Sequence, residues 1–222
     1  MTTIGKPIYY RNALFIITIF FIFIKGCSKA YYGAMEKVGV HKRDILVERV
    51  ENARDAQSDA QVQFKDALEQ FGSVVKIETT DLKDAYEKLN SEYEKSDEAA
   101  KEVSSRIEKV ESVADDLFAE WEKELGLYKN KALKDASARK LKDTQTRYKE
   151  MLSSMHRAEK SMDPVLRTFR DNVLFLKHNL NAQAIGSLRS EFSGLKVKID
   201  ALIKNMNNAI ANSNQFIEDL NQ

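Results

Sequence analysis

The chain has 222 residues, 31% of them charged and 43% hydrophobic, with 8 Gly, 2 Pro, 3 His and 1 Cys. One Cys excludes an internal disulfide framework and a Cys-based structural zinc site, and 35 basic against 34 acidic residues leave a net charge of +1 and no global field toward nucleic acid. So few Gly and Pro residues exclude a β sandwich or barrel, which needs a turn signal about every ten residues, and point to an all-α chain.

Residues 1–26 read as a lipoprotein signal peptide. Lys6 and Arg11 form a positive n-region, no acid precedes Glu36, and Ala13 to Ile24 is an apolar run broken only by Thr18. The run fits a signal h-region of roughly 7–15 residues and falls short of the about 20 that a spanning helix needs. Ile24-Lys25-Gly26-Cys27 follows. It resembles the bacterial lipobox, in which an aliphatic, a variable and a small residue precede the cysteine that receives diacylglycerol. Lys25 departs from the small or hydroxylated residue usual at its position. The resemblance makes Cys27 the lipidation site; the simpler alternative is an uncleaved anchor with a free thiol. Acyl chains, at ~0.8 kcal/mol per buried methylene, would hold the protein on a membrane. Loss of Lys6, Arg11 and Lys25 with the signal leaves 32 basic against 34 acidic residues, or −2. In enteric-type sorting an Asp after the cysteine retains a lipoprotein in the inner membrane, so Ser28 favours the outer membrane. The expected location is the cell envelope, lipid-anchored and facing the periplasm.

Residues 27–43 read as a lipidated tether, with Gly33, Gly39 and the pair Tyr31 and Tyr32. Residues 44–222 are the expected helical domain. A first helix runs from about Asp44 to Phe71 on a stripe of Val50, Ala53, Ala60, Phe64, Ala67 or Leu68, and Phe71, and Gly72 and Ser73 are expected to end it. Thr79 and Thr80 offer caps for a second helix. Its a-type positions are Tyr86, Tyr93, Ala100, Ile107, Ala114 and Trp121; its d-type positions are Leu82, Leu89, Ser96, Val103, Val110 and Leu117. Such a 3.5-residue period marks a coiled-coil contact and predicts a buried Trp121. The pattern stops at Leu125-Gly126-Leu127, where Gly126 can take the left-handed conformation that ends a helix.

A third helix resumes near Leu133 with Leu141, Tyr148, Met151, Met155, Ala158 and Met162. Asp163-Pro164 then reads as a cap and first-turn proline, so the helix is expected to restart or kink. The stripe goes on through Leu166, Phe169, Val173, Leu176 and Leu180, and Asn181 to Gly186 form the next break. A last helix carries Leu188, Phe192, Leu195, Ile199, Leu202, Met206, Ala209, Ser213, Phe216 and Leu220. The fold predicted is an elongated antiparallel helical bundle or coiled coil of about four helices behind a signal peptide.

Charge reinforces a hairpin between the second and third helices. Glu87 to Glu124 holds 13 acids and 6 bases, and Lys129 to Lys149 holds 8 bases and 2 acids. Folding back at Gly126–Tyr128 is expected to bring Glu124 near Lys131, Asp116 near Arg139, Asp115 near Lys140 and Glu108 near Arg147. A basic stretch beside a membrane could instead bind anionic headgroups.

Signatures of catalysis are missing. No G-x-x-x-x-G-K-[ST] and no G-x-S-x-G occurs, and none of His41, His156 and His178 has the Glu three residues before it that di-iron bundles use. His156 and Glu159 share a helix face, which reads more simply as a solvated face than as a metal site. The expectation is a non-enzyme with no cofactor, no metal, no nucleotide and no nucleic-acid partner.

The stretch YYGAMEKVGVHKRDILVERVENARDAQ (31–57) resembles a family of small Gram-negative envelope lipoproteins of unknown function with a predicted coiled-coil mature region. The resemblance covers essentially the whole mature chain and implies no catalytic residue or partner. Two functions fit. One is a lipid-anchored structural or adaptor module that binds another envelope protein or the cell wall, with homo-oligomers through the seams as one form. The other is a lipid- or client-handling bundle, a periplasmic carrier whose seam opens. Small and soft seam residues (Ala100, Ala114, Met151, Met155, Met162) keep the second open.

Overall fold

Heptad stripes separated by short polar breaks leave each helix one apolar face to hide, and in the computed structural model the four faces hide on one another. The structure describes residues 41–76 and 82–221. They form α1 (Lys42–Val74), α2 (Leu82–Glu124), α3 (Lys131–His178) and α4 (Ala182–Asn221), with no strand among them. The segment expected to be a signal peptide and most of the expected tether lie outside the described residues. The chain divides into a unit of residues 1–45 and a unit of residues 46–222. Of the first, the structure describes His41 and the opening turn of α1, where the Ile45 amide donates to the His41 carbonyl at 3.1 Å.

Within residues 46–222 successive helices run antiparallel. Phe118 meets Tyr148 and Tyr93 meets Phe169 between α2 and α3; Tyr148 meets Phe216 between α3 and α4. Arg54 donates to Asn214 at 3.2 Å and Gln61 to Asn207 at 2.7 Å between α1 and α4. Gln63 reaches Glu92 on α2 at 2.8 Å. This is an up-and-down four-helix bundle, as short connections between amphipathic helices require.

Two aromatic groups anchor the core. Phe71 packs on Phe169 at 5.8 Å and on Phe192 at 6.0 Å between ring centroids. Phe118, Tyr148 and Phe216 form the other, with centroids 5.3 and 6.0 Å apart. Such pairs add about 0.5–1.5 kcal/mol each beyond the area they bury. Buried hydroxyls of Ser96, Ser154 and Ser213 donate to carbonyls of their own helices at 2.6–2.8 Å, so they ask nothing of a neighbour. Gln57 is different: it is fully buried, and neither its amide nitrogen nor its oxygen finds a partner.

Several expectations are corrected. Gly72 does not end α1, which continues to Val74. A side chain at Gly72 would stand 3.1 Å from Cζ of Phe192, so the glycine lets that ring close over α1. The α1 end is instead capped from α4, where Arg189 donates twice to the Val75 carbonyl at 2.9 and 3.1 Å. Gly126 stays outside the left-handed region; the chain leaves α2 through tight turns, Gly126 to Lys123 at 3.1 Å and Leu127 to Glu124 at 2.9 Å. Pro164 lies inside α3, which begins no new helix there. The last break is shorter than Asn181–Gly186, because the Asn181 side chain caps α4 by accepting from the Ala184 amide at 3.1 Å.

Candidate functional site

The feature that stands apart from the buried seams is the end of the α2–α3 hairpin. Asn130 caps α3, its side chain accepting from the Leu133 amide at 3.2 Å, so α3 starts at Lys131. Between Phe118 and Leu141 no residue is fully buried. Leu127 is 75% exposed, Leu133 58% and Tyr128 42%. Trp121, predicted to be core, is half-buried, with its indole N–H donating to the Ser137 hydroxyl at 2.9 Å. The core residue of this turn is its neighbour Phe118.

On the α3 side of these apolar side chains the surface is basic, while exposed Glu122 and Glu124 close α2 on the other side. Lys129, Lys131, Lys134, Arg139, Lys140 and Lys142 are all exposed, against one acid, Asp135, between Leu127 and Lys142. None of the four expected cross-hairpin ion pairs forms among the described residues. Lys131 bonds Asp135 on its own helix at 2.6 Å, and Arg147 pairs with Asp219 on α4. The reason is register. With the fold centred on Gly126–Tyr128, Arg139 would face Asp116; with α3 delayed to Lys131, Ser137 meets Trp121 and Tyr148 meets Phe118.

Further along the hairpin lies the one histidine cluster among the described residues. His156 Nδ1 is 2.9 Å from Glu159 and Nε2 is 3.2 Å from Glu111. Partial burial lowers its pKa, but the hydrogen bonds to Glu159 and Glu111 outweigh burial and the net shift is upward. A ring with carboxylates at both nitrogens is satisfied as the cation, which donates at both. No group of three His, Cys, Asp or Glu suited to a metal ion occurs among the described residues. Asp219 beside Arg147 is held below the usual carboxylate range by the Arg147 hydrogen bond, and Arg147 is raised in turn.

Cys27, the expected lipidation site, lies outside the described residues. Among those residues no helix is long and apolar enough to cross a membrane. The exposed cluster at Leu127, Tyr128 and Leu133 was missed in the sequence because Leu133 reads as the first residue of a seam. The signal that could have found it is the run of lysines, Lys129, Lys131 and Lys134, that follows Leu127 and Tyr128 and brackets Leu133.

No curated protein matches the chain, and no solved structure does. The family model described as Protein of unknown function (DUF2959) matches residues 31–220, and the chain belongs to that family.

Proposed function

We propose that this protein is a lipid-anchored lipoprotein of the cell envelope, acylated at Cys27, facing the periplasm and favouring the outer membrane. Its bundle is a non-catalytic structural or adaptor module that binds another envelope component. The observation that carries the reading is the position of the only cysteine. It stands three residues after the end of an apolar run of signal length and four residues before the start of the family match. The bundle supports an adaptor over an opening carrier. Phe64, Phe71, Phe169, Met151 and Met155 are fully buried, and truncating or exposing side chains of this size costs several kcal/mol each.

The test is metabolic labelling with a fatty acid in a Gram-negative host. Wild type is expected to carry label and Cys27→Ala to lose it, accumulating as a slower-migrating precursor. Normal maturation of Cys27→Ala with label retained would sink the proposal. Crosslinking in the intact envelope, with captured proteins identified by mass spectrometry, then names the partner.

A further inference from the structure

We propose that the end of the α2–α3 hairpin is a bilayer-contact surface that docks on anionic phospholipid. The surface joins three exposed apolar side chains, Leu127, Tyr128 and Leu133, to exposed Lys129, Lys131 and Lys134. This is the composition an interfacial contact needs. Tyr and Leu enter the headgroup boundary, while lysines bury their stems and keep the ammonium at phosphate level. Each lysine close to an anionic leaflet is worth about a fivefold gain in partitioning.

Two further observations choose this end of the bundle. The opposite end also exposes apolar residues, among them Leu180 at 49%. It lacks a basic run, however, with Arg170 and Lys177 against Asp171 between residues 170 and 183, whereas residues 127–142, the α3 side of the turn, hold six bases and one acid beyond the Glu122 and Glu124 that close α2. Topology points the same way. Arg54 on α1 stands beside Asn214, and Phe216 beside Tyr148, which faces Phe118. From that level α1 runs back to Leu46, and α2 runs forward to the turn, in the same direction. The first residue of the unit of residues 46–222 therefore sits at the end that carries Leu127. An anchor upstream of Leu46 is thus joined to this unit at the end that carries Leu127. The choice of bilayer rests on the lipoprotein reading, while the contact is testable without acylation.

The experiment uses the full chain with Cys27→Ala, mixed with vesicles of phosphatidylcholine, with or without phosphatidylglycerol, whose acyl chains are brominated. In a Trp121→Phe background, Tyr128→Trp puts the sole indole in the turn and Leu180→Trp puts it at the far end. Quenching of the Tyr128→Trp probe is expected in vesicles containing phosphatidylglycerol. It is expected to fade without that lipid and at 1 M salt, where the screening length drops to about 3 Å. The Leu180→Trp probe should stay unquenched. Adding Lys129→Gln, Lys131→Gln and Lys134→Gln should weaken partitioning by about two orders of magnitude. Leu127→Ser with Leu133→Ser should abolish quenching while the circular dichroism stays helical. An unquenched Tyr128→Trp probe, with the chain bound to vesicles or free, overturns the contact and leaves the end to a protein partner. Equal quenching of the two probes overturns it as well. Neither result bears on fatty-acid labelling at Cys27, by which the lipoprotein reading stands or falls.

Discussion

Replacing Gln57 by Met should make this protein more stable, although it edits a fully buried side chain. Gln57 lies on the inner face of α1 between Ala53 and Ala60, and both polar atoms of its amide are without a partner. A buried polar group left unsatisfied costs about 1–3 kcal/mol. Methionine matches glutamine in length and in being unbranched at Cβ and Cγ, and volume-conserving core swaps cost less than about 1.5 kcal/mol. Removing the amide while keeping its volume should therefore yield a net gain of about 1–2 kcal/mol. For a unit of this size that is about 2–4 °C in Tm per kcal/mol. The assay is urea unfolding followed by circular dichroism at 222 nm, with wild type and Gln57→Met compared at equal m-value. Gln57→Ala serves as the control, because it removes the amide but opens a cavity, and it should fall below Gln57→Met. A Gln57→Met protein less stable than wild type by about 1 kcal/mol or more would refute the reasoning, since the amide must then be well satisfied where it lies.

Phe71→Ala should cost about 3–5 kcal/mol, because Phe71 is fully buried between Phe169 and Phe192; a loss below about 1 kcal/mol in the same urea assay would contradict the packing. Burial pushes the Tyr148 hydroxyl far above its ordinary value of 10, helped by the charges of Glu111 and Asp115. In an ultraviolet titration at 295 nm its ionisation should coincide with unfolding, and the stability it lends is present below about pH 10 and lost above it. The His156 pKa is raised by its two carboxylates against the burial that lowers it, so its contribution is present below about pH 6.5 and lost as pH rises through the folded value. An NMR titration should find that value above 6.5, and His156→Gln should flatten the change in unfolding midpoint across this window.

The number, order and class of the helices were legible in the sequence, because a 3.5-residue apolar period has one way to be satisfied. All but Phe192 of the stripe predicted for α4 is fully buried. The α2 seam held in its middle, at Leu89, Ser96, Ala100, Val103, Ile107, Val110 and Ala114; toward its start Ala85 is buried and Leu82, Tyr86 and Tyr93 are half-buried, and the pattern drifts again at its end. There Val113 and Phe118 are buried while Leu117 and Trp121 are half-buried. The physical cause is that an α-helix repeats every 3.6 residues and here has neighbours on two sides, so a strict heptad rotates off the core within a few turns. The lipidation reading of Cys27 has no counterpart in the described residues, and so it rests on sequence alone. What only tertiary structure decided depends on partners far along the chain. Gln57 reads as a polar interruption until α1 is packed and its amide is sealed in. Gly72 reads as a stop until Phe192, distant in sequence, needs the space its missing side chain leaves. The hairpin charges read as mutual pairs until the Asn130 cap delays α3, shifts the register, and leaves the lysines around Leu127 and Leu133 facing solvent.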